Sequence, residues 1–221
     1  KEYEFTRKSI NLITASGKML DNDIGYIEIT NFNSTTSKQF KDALNKLLDD
    51  GAKGIVFDVR NNPGGLVDAT LQCLDMVLPY GDIASATYHS GETKIIDYPK
   101  MDTNDDDKKL DIPVIVLVNG KTASAGELFA AGLRDFNGSK LVGVKTFGKG
   151  IMQSTTALDG GGAITVTVAT YQTTKSDCYH GIGLYPDHEV ALPSDKGVNV
   201  QPGVTEEDTQ LQKALELLLI K

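Results

Sequence analysis

Apolar positions along this chain follow two alternating rhythms. Ile24-Gly25-Tyr26-Ile27-Glu28-Ile29-Thr30 is rich in isoleucine and aromatic residues with partial alternation, which predicts a strand. Over 35–50, Phe40, Ala43, Leu44, Leu47 and Leu48 fall at helical spacing, so a helix follows. Gly54 to Val59 is a β-branched run and Leu66 to Leu78 reads as helical. Val114 to Val118 is continuous enough to be buried on both faces of a sheet, and Ala123 to Arg134 is helical again. This alternation predicts an α/β fold with a mixed or parallel central sheet and crossover helices.

Between Tyr88 and Leu110 the rhythm dissolves into Tyr98-Pro99 and a stretch from Asp102 to Asp107 holding four aspartates. It reads as a solvated surface loop, because the D-x-D-x-D-G order of a calcium loop is missing. Short strands are expected at Lys140 to Val144 and at Ala163 to Tyr171, where Ile164, Val166 and Val168 alternate with Thr165, Thr167 and Ala169. Asp159-Gly160-Gly161-Gly162 supplies a hairpin turn ahead of the second. An amphipathic helix from Glu206 to Leu219 closes the chain, with Leu211, Leu215 and Leu218 on one face.

At 221 residues with 40% hydrophobic and 24% charged side chains, one large domain folds without disulfides or metal. A net charge of −8 with no basic cluster beyond Lys108-Lys109 excludes nucleic acid and anionic membrane as partners. The longest apolar run, Ile112 to Val118, contains Pro113 and falls far short of the roughly 20 residues of a membrane span. Lys1-Glu2-Tyr3-Glu4 opens without the apolar core of a secretory signal, so an exported parent protein would make this chain a fragment. Cys73 and Cys178 stand alone, without CxxC or histidine spacing; they read as plain thiols rather than zinc ligands, with a disulfide as the minority alternative.

Two glycine-bearing turns follow buried strands and lead into helices. One is Asp58 to Gly65, containing Asn61-Asn62-Pro63-Gly64-Gly65; the other is Val118 to Glu127, containing Ala123-Ser124-Ala125-Gly126. Ligands collect outside the carboxyl ends of strands in α/β sheets, and helix N-termini offer free N–H groups to a developing negative charge. The pair therefore suits an oxyanion hole, although Pro63-Gly64-Gly65 alone is equally a plain turn. Ser124 has small neighbours that admit a substrate carbonyl, while alone it would also serve as an N-cap. Lys149, between Gly148 and Gly150 with Phe147, Ile151 and Met152 nearby, fits a desolvated general base to a serine, against the default of a surface lysine. His89, His180 and His188 lie in polar or turn-rich stretches that name no partner. Gly143 to Lys149 matches a phosphate loop until Gly150 stands where Ser or Thr is required.

Taken together, these stretches resemble the catalytic domain of the carboxyl-terminal processing, or tail-specific, proteases of the S41 family. The resemblance rests on Ile24-Gly25-Tyr26-Ile27 with Phe32, on Asp58 to Gly65, on Ala123-Ser124-Ala125 with Glu127, and on Thr146-Phe147-Gly148-Lys149-Gly150 with Gln153. Gly181-Ile182-Gly183-Leu184 with Pro186-Asp187, and Asp208, Gln210-Leu211 and Ala214, extend it to nearly the whole chain. The family often has Ser-Ala-Ser-Ala-Ser-Glu where this chain reads Thr122-Ala123-Ser124-Ala125-Gly126-Glu127.

The resemblance implies a crotonase-like (ClpP/crotonase) β-β-α core working as a serine endopeptidase that needs no cofactor or metal. Ser124 is then the nucleophile, Lys149 its general base, Gln153 the residue that holds the lysine, and the backbone N–H groups of Gly65 and Ala125 the oxyanion hole. An acidic residue sometimes grouped with the catalytic set falls on Asp135; eleven helical residues would put it roughly 16 Å from Ser124, so it is given a supporting part. Implied substrates are unfolded or tail-exposed proteins cleaved near apolar C-termini, bound extended along a strand edge. A homo-oligomer, an extracytoplasmic location and a PDZ domain in cis belong to the same expectation. Residues 1–10, with Phe5-Thr6-Arg7-Lys8-Ser9-Ile10, would be the closing strand of that domain and 11–221 the peptidase domain. Two rival functions share the fold: a non-catalytic peptide-binding module and an acyl-CoA enzyme. Ser124, Lys149 and Gln153 together speak against the first, and the sparse basic inventory near the glycine turns against the second.

Overall fold

The computed structural model describes residues 3–6, 10–79, 81–97, 110–193 and 207–219. Its main sheet has six strands: β1 (Ala15–Leu20), β2 (Ile24–Ile29), β3 (Gly54–Asp58), β6 (Val114–Val118), β7 (Lys140–Gly143) and β10 (His188–Glu189), in the spatial order β1-β2-β3-β6-β7-β10. Only β1 runs antiparallel to its neighbour; the pairs from β2 to β10 are parallel. A second, antiparallel sheet orders β5 (Thr93–Ile95), β4 (Ala84–Tyr88), β9 (Ala163–Thr173) and β8 (Ile151–Ala157). The expected α/β architecture with a mixed sheet and crossover helices is the observed one.

Parallel neighbours require crossovers, and the chain supplies them with helices. α1 (Thr36–Asp49) joins β2 to β3, α2 (Val67–Asp75) follows β3, and α3 (Ala125–Gly132) follows β6. The central strands are buried on both faces because different layers cover them. Ile27, Ile29, Ile55 and Phe57 pack into the larger core with α1, α2 and α3, while Ile24, Tyr26, Val56, Ile115 and Leu117 meet Leu211 and Ala214 of α4 (Thr209–Leu219). All eight residues of α3 are buried, as expected of a helix apolar on every side. Its Phe129 ring lies 5.7, 6.0 and 5.5 Å from those of Phe32, Phe40 and Phe57, which fixes the helix against β3 and α1.

Several elements differ from the sequence expectation. β1, β4 and β8 lack a strong pattern of their own, and β5 interrupts the stretch read as loop. The helix expected to run to Arg134 ends at Gly132 and passes into a wider turn over Leu133–Asn137. α4 begins at Thr209; Glu206, the aspartates of 102–107 and residues 7–9 of the expected closing strand lie outside the described residues.

A buried ion cluster pins α4 to the sheet. The Arg60 guanidinium contacts the Asp58 carboxylate at 2.6 Å and that of Asp208 at 2.7 Å, and also reaches Gln210 at 3.0 Å. Asp58 accepts a further hydrogen bond from the Tyr26 hydroxyl at 2.6 Å. The Asp58–Arg60 and Asp208–Gln210 stretches, 150 residues apart, are thus one structural device.

Candidate active site

The two glycine turns meet at the carboxyl ends of β3 and β6. Asn62 joins them: its side-chain amide donates to the Ile29 carbonyl at 2.8 Å, its Oδ1 accepts from the Gly64 N–H at 2.8 Å, and its carbonyl accepts from the Ala123 N–H at 2.9 Å. Thr122 donates to the Val59 carbonyl at 2.8 Å, closing the same junction from the other side. Gly64 is required here, because at φ +101° a Cβ would stand 2.7 Å from the Ser124 Cβ and 2.9 Å from the Ala125 nitrogen. The Pro63-Gly64-Gly65 turn therefore lies against the serine turn, as a two-donor oxyanion site requires.

Ser124 occupies the N-cap position of α3 with φ +56° and ψ −123°, outside the extended conformation usual for a cap. A non-glycine residue held there costs about 1–3 kcal/mol and persists only where its surroundings fix it. The fixing group is Glu127, fully buried, whose carboxylate accepts four hydrogen bonds. Oε2 takes the backbone N–H groups of Ser124 at 3.0 Å and Lys149 at 2.7 Å; Oε1 takes the Gly148 N–H at 2.7 Å and the Thr146 hydroxyl at 2.5 Å. One carboxylate thus ties the serine turn to the lysine loop. Among the described residues the N–H groups of Gly65 and Ala125 have no acceptor, which leaves both as donors without an internal partner.

Lys149 is half-buried, and its ammonium makes neither an ion pair nor a hydrogen bond among the described residues. Phe147, expected to shelter it, is instead 66% exposed. The Ser124 hydroxyl is 3.2 Å from the Tyr171 hydroxyl, with Tyr179 packed edge-on to Tyr171 at 6.1 Å. Burial pushes both phenols above the ordinary tyrosine range. Gln153 is exposed on β8, at a register shift next to Met152, and pairs with Thr167 of β9. Asp135 lies elsewhere in the hydrogen-bond pattern: its carboxylate accepts from Thr173 and Ser176 and contacts Arg134, anchoring the end of β9.

The geometry thus sets Gly64, next to Gly65, directly against Ser124 and Ala125 and links the Lys149 loop to Ser124 through Glu127, with Gln153 on the second sheet and Asp135 outside. Sequence reasoning noted Glu127 without giving it a task and missed Tyr171, which lies 47 residues from Ser124. A serine on a strained turn beside paired backbone donors is an arrangement suited to acyl transfer.

The comparisons with known proteins agree with that class. Peptidase family S41 matches residues 23–190. A carboxyl-terminal-processing protease from Synechocystis sp. is 35% identical over 222 residues, covering 99% of this chain and 50% of that protein. The carboxy-terminal processing protease CtpA of Bacillus subtilis is 36% identical over 188 residues, covering 85% of this chain and 39% of that one. Among solved structures, a photosystem II D1 C-terminal processing protease superposes with a TM-score of 0.70 at 30% identity, over 87% of this chain and 53% of that one. The chain belongs to peptidase family S41, and it spans half or less of these two curated relatives.

Proposed function

We propose that this chain is the catalytic domain of a serine endopeptidase in which Ser124 is the nucleophile and Lys149 the general base, cleaving proteins near apolar C-terminal tails. The observation that carries the reading is the strained Ser124 turn, anchored through Glu127 to the Lys149 loop, with the N–H groups of Gly65 and Ala125 left without an acceptor among the described residues. In the reaction, Ser124 Oγ bonds to the scissile carbonyl carbon as its proton passes to the neutral Lys149 amine. Negative charge develops on the carbonyl oxygen, where the two N–H groups stabilise it. The ammonium then protonates the departing amine, and water reverses the sequence to release the acid. Gln153 is assigned to holding the lysine and Asp135 to supporting the fold.

Apolar side chains left in solvent around the site support the substrate class. Leu66, beside Gly65, is 52% exposed; Ile182, in the segment bonded to the Lys149 loop through Gly181 N–H and the Gly148 carbonyl, is 56% exposed. They offer an extended, apolar tail a surface on both flanks. An extracytoplasmic location and an upstream PDZ domain in the full-length protein belong to the same proposal. Among the described residues no helix is long and apolar enough to cross a membrane. The test is hydrolysis of an unstructured peptide ending in apolar residues, compared with the same peptide ending in charged ones. Ser124→Ala should reduce cleavage to background while remaining folded; undiminished cleavage by that variant would remove Ser124 from the reaction.

A further inference from the structure

The nucleophile's hydroxyl lies within hydrogen-bond distance of a group the dyad does not use. Tyr171 Oη sits 3.2 Å from Ser124 Oγ, on a ring that is 1% exposed in the interior strand β9, between β4 and β8. Its position is over-determined. The main-chain N–H of Tyr171 donates to the Gly150 carbonyl at 3.0 Å, beside the lysine, and its ring meets Tyr179 at 89°. Tyr179 is also buried, with its hydroxyl 3.5 Å from the Ser124 carbonyl oxygen.

We infer that Tyr171 is a further catalytic residue, a neutral phenol that donates a hydrogen bond to Ser124 Oγ and stabilises the charge that develops there. The inference rests on Ser124 being the nucleophile. When the serine proton points at the lysine, Oγ has none left to give, so the bond to Tyr171 can run only from the phenol to the serine. The four directions around Oγ are then filled by Cβ, the proton bound for Lys149, the Tyr171 donor and the carbonyl carbon. As the proton leaves, this donation becomes charge-assisted and strengthens, so it favours the transition state over the resting enzyme. In deacylation Oγ is the leaving group, and the same phenol stabilises it until it recovers a proton from the lysine ammonium. Burial keeps the phenol protonated, the only form able to donate.

Tyr171→Phe keeps the ring and deletes the donor. Hydrogen bonds to charged groups are worth roughly tenfold to more than a hundredfold in an equilibrium, so kcat should fall roughly 10- to 100-fold with KM little changed. The rate at which a fluorophosphonate labels Ser124 should fall by a similar factor, since that reaction also requires attack by Oγ. Circular dichroism and the thermal midpoint establish that the variant is folded; should it not be, substitution of Tyr171 by a ring-fluorinated tyrosine, a stronger hydrogen-bond donor, gives the second reading, an altered labelling rate in an intact site. Unchanged turnover and labelling, in a wild-type chain that does label, would overturn the role of Tyr171 alone. A faster Tyr171→Phe enzyme would also overturn it, by showing that the phenol holds the serine away from the lysine. Failure of the wild type to label or cleave would instead remove the Ser124 reading, and this one with it.

Discussion

Glu127→Gln is the substitution whose effect follows most directly from the observed hydrogen bonds. The change is isosteric, but it replaces one acceptor oxygen with an NH2 group. If nitrogen takes the Oε2 position, it confronts the N–H groups of both Ser124 and Lys149. If it takes the Oε1 position, it confronts the Gly148 N–H, while the Thr146 hydroxyl must give up its present donation. The second arrangement is milder and still strands one buried backbone N–H. A hydrogen bond to a carboxylate contributes about 1.5–3 kcal/mol, and the two surviving bonds, from Ser124 and Lys149, become neutral ones, so the expected loss is about 2–4 kcal/mol. For a chain of this length that lowers the thermal midpoint by about 4–16 °C. Because the lost anchor is shared by the serine turn and the lysine loop, kcat should also fall by about 10- to 100-fold at temperatures where the variant is fully folded. Thermal denaturation followed by circular dichroism, with peptide hydrolysis measured at least 15 °C below the transition, reads both effects. A variant melting within about 1 °C of wild type with full activity would refute the anchoring role.

Two further substitutions test the frame around the site. Arg60→Met leaves the buried carboxylates of Asp58 and Asp208 without their shared cation, and should destabilise the fold by about 3–5 kcal/mol in urea titration; a loss under about 1 kcal/mol would mean that this cluster does not hold α4. Asp187 is held below the ordinary aspartate range: burial opposes its ionisation, but the Leu141 N–H and Lys140 outweigh it. A lowered folded value stabilises the fold above the ordinary value near 3.9, and this contribution is lost as pH falls through the folded value. The midpoint gap between wild type and Asp187→Asn should therefore be present at pH 7 and close below about pH 4; a gap that widens on acidification would reverse the assigned sign.

Legibility in the sequence followed burial and sequence distance. β3 and β6 were evident because strands covered on both faces read as nearly continuous apolar runs, β2 from its isoleucines in partial alternation, and α1 because one face alone meets the core. β8 was not, because it is an edge strand exposed along most of its length, and Gln153 and Thr155 read like loop residues. Ser124 and the glycine turn declared themselves through local composition, since small side chains are needed where two backbones approach. The task of Glu127 was hidden because its partners Thr146, Gly148 and Lys149 lie 19 to 22 residues away. Tyr171 looked like one more residue of an alternating strand, and only the packing of β9 over α3 puts its hydroxyl on the serine. Phe147 misled in the opposite sense: apolar, two residues from the lysine, and turned to solvent.

The central claim is that Ser124 depends on Lys149 for its reactivity, and the rate of fluorophosphonate labelling tests it most directly, with the modified peptide identified by mass spectrometry. In the wild-type chain a single adduct is expected, on the peptide containing Ser124. In Lys149→Met, which keeps the unbranched shape and removes the amine, labelling should slow by about 10²- to 10⁴-fold, the usual worth of a general base, while the denaturant midpoint stays level or rises. An adduct on another residue, or a folded Lys149→Met chain that labels at the wild-type rate, would contradict the account.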